Sequence, residues 1–158
     1  MSVRPARAED EEPLLEIDRA TWSPYTSPAP GPPEGPFFNE RTRPANVVVV
    51  EIDGRVAGYG KIEHPTELPA SEHVWHVTGL AVDPALEGRG AGHALMEALI
   101  GSARERGGRR ITLRVFAPNQ RAQRLYERLG FEREGVLRGE FRVGDGEYVD
   151  DILMALAL

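Results

Sequence analysis

The chain of 158 residues has no cysteine. That excludes a disulfide framework, a thiolate metal site and a cysteine acyl-enzyme. No apolar run approaches the roughly 20 residues of a transmembrane helix, and no signal-peptide pattern is present. A cytoplasmic location is the expectation, with no membrane partner. Basic residues are in deficit: 19 Lys and Arg face 25 Asp and Glu, for a net charge of −6. This argues against nucleic acid as a partner and leans toward a cationic substrate. Lysine is almost missing, since 18 of the 19 basic residues are arginine, which reads as genomic composition. The four histidines lack helical i, i+4 spacing, so no metal site is indicated. No Gly-Lys-Ser/Thr triplet occurs, which excludes a P-loop. There is no internal repeat and no coiled coil. The length fits one domain, 1–158, with a core of its own.

What is present is concentrated in one stretch, Val82-Asp83-Pro84-Ala85-Leu86-Glu87-Gly88-Arg89-Gly90-Ala91-Gly92. An apolar strand ends at Asp83-Pro84 and a glycine-rich turn runs into an amphipathic helix. Ala91, Ala94, Leu95, Ala98, Leu99, Ser102 and Ala103 fall at helical spacing on one face of it. Such a turn presents unhindered backbone N–H groups at the positive end of a helix dipole, a site for phosphate. Gly88, Gly90 and Gly92 remove Cβ atoms and permit positive φ. Arg89 adds a charge for a side-chain contact to phosphate. Two other readings exist. A dinucleotide fingerprint needs a third glycine, where this chain has His93 or Leu95. A glycine turn that merely starts a helix is the plainer one.

The next segment bears on that choice. Ile111 to Phe116 alternates as a buried strand, and Pro118-Asn119 opens a second short helix with Asn119 as N-cap. Its inner face is Ala122, Leu125, Tyr126 and Leu129, and Gly130 ends it. Phe131 begins another strand. With Leu80-Ala81-Val82-Asp83-Pro84, then Glu87 to Gly92, then Asn119 to Phe131, the sequence resembles the GNAT superfamily of acetyl-CoA-dependent N-acetyltransferases. The resemblance covers residues 46–158 well and 2–22 loosely. One position departs from it. The pyrophosphate signature of the family opens with Gln or Arg, where this chain has Glu87.

Elsewhere, Ser2 to Ala6 reads as a first strand, and Asp10 as the cap of a helix over Glu11 to Trp22. Residues Pro24 to Pro44 show no clear period, and so long a connection is functional or mobile. Val47 to Ile52 and Arg55 to Glu63 flank the two-residue turn Asp53-Gly54. His73 to Val82 is a fourth strand. Leu137 to Val143 and Glu147 to Leu156 flank Gly144-Asp145-Gly146. The expected class is α/β (α+β): a mixed, mostly antiparallel sheet of about seven strands with helices on both faces. The resemblance implies parallel fourth and fifth strands splayed apart at one end. Gly79 suits the bulge behind that splay, or serves close packing.

The resemblance implies acetyl-CoA as co-substrate, no metal, and direct transfer to an amine in a ternary complex. The CoA-binding positions carried over are Leu80, Ala81, Val82, Glu87, Gly88, Arg89, Gly90, Ala91, Gly92, Asn119, Ala122 and Tyr126. A backbone N–H near Leu80 would serve the oxyanion. Tyr126 would protonate the leaving thiolate, or else is a core aromatic. Asn119 would both cap its helix and touch the pantetheine arm. An amine mostly protonated at neutral pH needs a base. His76 is the leading candidate, since an imidazole titrates near neutrality. Glu63, His64, Glu72, His73 or a water chain are the alternatives, and His93 reads as a surface histidine beside the loop.

Family members shape the acceptor pocket with the segment after the first strand and the last hairpin, here Trp22 to Pro44 and Leu137 to Tyr148. Trp22, Tyr25, Phe37, Phe38, Phe141 and Tyr148 are candidates to line it. The expected acceptor is the primary amine of a small molecule, amino-acid-like or an amine metabolite. A protein N-terminus (ribosomal-protein type) or a lysine is the alternative. A non-catalytic acyl-CoA sensor is a further one. Many members pair through edge strands, so a homodimer is an expected state.

Overall fold

The computed structural model describes residues 1–158. In chain order it contains β1 (Ser2–Pro5), α1 (Glu11–Thr21), β2 (Val47–Ile52), β3 (Arg55–Glu63), β4 (Val74–Val82), α2 (Ala91–Glu105), β5 (Arg110–Phe116), α3 (Gln120–Arg128), β6 (Glu132–Gly144) and β7 (Glu147–Ala157). One seven-stranded sheet runs β1-β2-β3-β4-β5-β7-β6. Every neighbouring pair is antiparallel except β4 and β5. The fold is thus the mixed sheet expected.

Successive residues of β2 feed opposite layers, as a strand period of two requires. Val47 and Val49 pack with Leu14 and Ile17 of α1, Phe37 and Tyr59. Val50 and Ile52 pack on the other face with Ala91 and Leu95 of α2. A larger cluster joins Met96, Leu99 and Ile100 of α2 to Ile111, Leu113, Val115, Tyr126 and Met154. The apolar stripe of α2 therefore fixes where its N-terminus opens. Truncating fully buried Leu95 to Ala would cost about 2–5 kcal/mol.

The β2–β3 turn has φ of 52° at Asp53 and 74° at Gly54, the two positive values a tight hairpin demands. Four local readings need correction. Asp10 occupies the cap position of α1, but its carboxylate turns back. It takes two hydrogen bonds from Arg4, at 2.8 and 2.9 Å, and one from the Arg7 N–H at 2.7 Å. A buried carboxylate satisfies itself best with a guanidinium. His73 precedes β4, which begins at Val74, and β6 begins at Glu132 rather than Phe131. The segments read as two strands around residues 131–143 are one, β6, bent by register shifts against β7.

Candidate active site

Strands β4 and β5 pair for three residues: Val74 with Arg110, Trp75 with Ile111, His76 with Thr112. Beyond His76 they separate, so one edge of β4 has no strand partner and its main-chain groups face the gap. The register against β3 shifts at the same level. Lys61 opposes Gly79 while Ile62 opposes Val77, leaving Thr78 as an extra residue. A bulge of this kind bends the strand. Gly79 sits beside the bulge and also serves close packing: a Cβ there would lie 2.6 Å from Lys61 Cε.

A cavity of about 770 Å³ fills the gap. A second, of about 400 Å³, continues over the start of α2. Leu80, Ala81, Val82, Glu87, Asn119, Arg121 and Ala122 line both. Gly88, Gly90, Ala91, Gly92 and His93 line the second.

The turn before α2 uses φ of 81° at Gly88 and 82° at Gly90, conformations that a side chain strains. No backbone N–H from Gly88 through His93 finds an acceptor inside the protein. The first to do so is Ala94, which donates to Gly90 O at 3.1 Å. Open donors at a helix N-terminus suit a diphosphate. Gly92 lies in the first turn, where a Cβ would stand 3.4 Å from Leu125 Cδ2, so it keeps α2 close to α3. Arg89 departs from expectation. Its guanidinium turns away to Asp53 Oδ2 at 3.3 Å and lines neither cavity. The carboxylate of Glu87 is paired with Arg121 of α3, so the acid at the phosphate loop faces a cation. His93 pairs with Glu97 at 3.4 Å.

On α3, Asn119 Oδ1 accepts from the Ala122 N–H at 3.2 Å. That caps the helix and leaves the side-chain NH₂ without a partner in the protein, on a residue that lines both cavities. Tyr126 is 8 % exposed, lines the larger cavity and makes no hydrogen bond in the protein. Burial pushes its phenol up to about 12, so it carries its proton throughout the neutral range.

His76 lines the same cavity. Its Nδ1 lies 2.7 Å from Thr112 Oγ1, and that hydroxyl donates to Trp75 O at 3.4 Å. Thr112 then accepts from Nδ1–H, which leaves the lone pair on Nε2. Burial, and next the charge of Arg114, lower the imidazole below its ordinary value. Glu63, His64, Glu72 and His73 line neither cavity. His64 instead stacks on Trp75 and contacts Val74 O at 2.9 Å.

The far end of the larger cavity is walled by Trp22, residues 26–29, Gly31, Pro33 and Phe141. Tyr25 Oη donates to Glu147 Oε2 at 3.1 Å, joining the loop after α1 to the β6–β7 hairpin. Phe37 is core, edge-on to Tyr59 at 4.8 Å, Phe38 packs against that layer, and Tyr148 is exposed. Five charged groups in the cavity escaped sequence reasoning: Asp18, Lys61, Arg114, Arg121 and Asp151. Asp151 is 1 % exposed, with Oδ2 held by Arg114 Nε and Oδ1 without a partner. Burial raises its carboxyl, against the opposing pull of Arg114. A carboxylate set directly before Ile152-Leu153-Met154 was the available signal.

The family model "Acetyltransferase (GNAT) family" matches residues 13–131. The chain belongs to the GNAT family. It is an acetyl-CoA-dependent N-acetyltransferase, and the open amides of residues 88–93 fit that co-substrate. N-alpha-acetyltransferase RimI of Mycobacterium tuberculosis is 35% identical over 119 residues, which is 75% of this chain and 72% of that protein. [Ribosomal protein bS18]-alanine N-acetyltransferase of Escherichia coli (strain K12) is 40% identical over 79 residues, 50% of this chain and 53% of that protein. Among solved structures, a GNAT superfamily phosphinothricin acetyltransferase from Sinorhizobium meliloti in complex with AcCoA superposes with a TM-score of 0.83. It is 21% identical, with 99% of this chain and 88% of that chain covered. No helix of this GNAT protein is long and apolar enough to cross a membrane.

Proposed function

We propose that the protein acetylates the primary amine of a small molecule. The observation that carries this reading is the wall at the acceptor end of the cavity. The loop after α1 and Phe141 of β6 both line it, and outside the lining the exposed Tyr25–Glu147 contact ties that loop to the β6–β7 hairpin, where an extended peptide would need an open trough. Among apolar side chains the lining carries the charged or titratable groups Asp18, Lys61, His76, Arg114 and Asp151, which suits a compact acceptor with polar groups.

Acetyl-CoA supplies an activated acetyl group. The main-chain N–H groups of residues 88–93 hold its diphosphate, Leu80, Ala81, Val82, Asn119 and Ala122 line the path of its arm, and Arg121 adds a cation at the mouth. His76 Nε2 removes the proton that the amine loses as the new C–N bond forms. Main-chain N–H groups of β4 near Leu80, facing the gap, donate to the developing oxyanion. As the C–S bond breaks, the Tyr126 phenol returns a proton to the sulfur. The products are amide and free thiol, and transfer of the proton from the His76 imidazolium through solvent to the Tyr126 phenolate restores both groups.

A second reading, acetylation of a protein N-terminus, is favoured by the relatives whose names carry that activity. The separating experiment is thiol release from acetyl-CoA with a panel of small primary amines, amino acids and N-terminal peptides. The small-molecule reading expects the highest kcat/KM among the small amines. Turnover confined to peptides would replace it with the second reading.

A further inference from the structure

The protein meets nearly every need for a cation with arginine. Its single lysine, Lys61, stands in the wall of the acceptor end of the cavity. Three cationic side chains line that cavity: Lys61, Arg114 and Arg121. Arg114 is taken up by Asp151 and Glu140, and Arg121 by Glu87. Lys61 forms no ion pair and no hydrogen bond. Its ammonium lies over the rings of Phe37 and Tyr59, 5.3 and 5.9 Å from their centroids. Asp18 lines the same cavity but forms no ion pair with Lys61; its Oδ1 accepts from Tyr59 Oη at 2.5 Å.

The surroundings keep this cation in place. Lys61 is the register partner of Gly79, one residue before Leu80, so it stands beside the reaction centre. Its stem crosses the space that a Cβ on Gly79 would fill, 2.6 Å from Cε and 3.1 Å from Cγ. Aromatic faces stabilise a half-buried ammonium without neutralising it. A cation held this way retains its full charge for a ligand, whereas a paired one does not.

We propose that Lys61 binds a carboxylate on the acceptor, so that the acceptor is an amino acid rather than a simple amine. This rests on the small-molecule reading above. One end of such a zwitterion is anchored at Lys61 while its amino group is presented toward the unpaired edge of β4. The overall negative charge of the chain gives no guide to the acceptor, because the one unpaired cation in the cavity is Lys61.

The lone lysine makes the test direct. Protein grown with [13C,15N]-lysine carries a single labelled residue, and its Cε–Hε signal is followed during titration, with CoA present, by the common L-amino acids and by their α-amides. The expected result is a saturable shift with those amino acids that are acetylated, and none with the matching amides. In parallel, Lys61→Met keeps the stem and removes the charge. The ratio of kcat/KM for acid over amide is expected to fall about ten- to a hundredfold, the loss for a charged hydrogen bond. A lysine signal unmoved by every acetylated amino acid, or an unchanged ratio in Lys61→Met, overturns the proposal. If small amines are acetylated with acid and amide treated alike, this inference falls and the small-molecule reading stands. If only peptides turn over, both fall.

Discussion

The two halves of the cavity are built differently. The half over α2 is made of consecutive residues: a strand end, a glycine turn and the first turn of a helix, with open amides from Gly88 to His93. The acceptor half is assembled from α1, the loop after it, β3, β5 and the last hairpin, whose residues meet only on folding. Local chemistry fixes the first half, and long-range packing fixes the second. The first can be tested by changing one backbone position, while the second is tested by changing charges one at a time.

The sharpest break in the comparison is Gly90→Asp. It places a side chain at φ 82° and a negative charge where the diphosphate sits. Acetyl-CoA affinity by calorimetry is expected to fall about a hundredfold or more, given strain plus a repelled charge-assisted contact. Undiminished affinity would remove the phosphate site from residues 88–93. Next is Tyr126→Phe, expected to lower kcat about a hundredfold, within the usual range for a lost general acid. Its acetyl-CoA affinity should stay within about twofold, because the ring remains and the hydroxyl makes no bond in the protein. Equal losses in both quantities would make Tyr126 a binding residue only.

His76→Gln is expected to cost about tenfold or more in kcat/KM at pH 7. Burial and Arg114 lower the imidazole, so the neutral, proton-accepting form is the one present at pH 7. The wild-type rate should therefore decline only at pH below the ordinary imidazole range, and the acid limb should vanish in the variant. Persistence of the limb in His76→Gln would assign the base elsewhere. The smallest effect is expected from Glu87→Gln. It frees Arg121 from an exposed pair worth at most about 1 kcal/mol, so CoA affinity should rise up to about fivefold. A loss of affinity on that change would mean that Glu87 positions the loop.

The same contrast explains what was legible in the sequence. The β2–β3 hairpin appears with the bounds read from Asp53-Gly54, because that turn is decided by its own two residues. The glycine loop, the Asn119 cap and the apolar residues on the inward face of α3 were legible for the same reason, while buried Gln123 on that helix was not. The loop after α1 was not. Glu11 accepts from the N–H groups of Phe37 and Phe38 at 2.6 and 2.9 Å, and Arg19 donates to Pro33 O at 3.0 Å. Contacts at such separation leave no periodicity. Phe37 was expected in the acceptor pocket and became core because α1 and Tyr59 close around it. Lys61 had no motif, and Asp151 only the weak signal of a carboxylate before an apolar run. Their significance appears only when the strands that carry them are laid side by side.

The central claim is that the free main-chain amides from Gly88 to His93 grip the diphosphate of coenzyme A. It is tested most directly by following backbone amide resonances during titration with CoA. Saturable downfield shifts are expected at Gly88 through His93, larger than any on α1 or the loop after it. Saturation of the protein by CoA with those amides unmoved would contradict it.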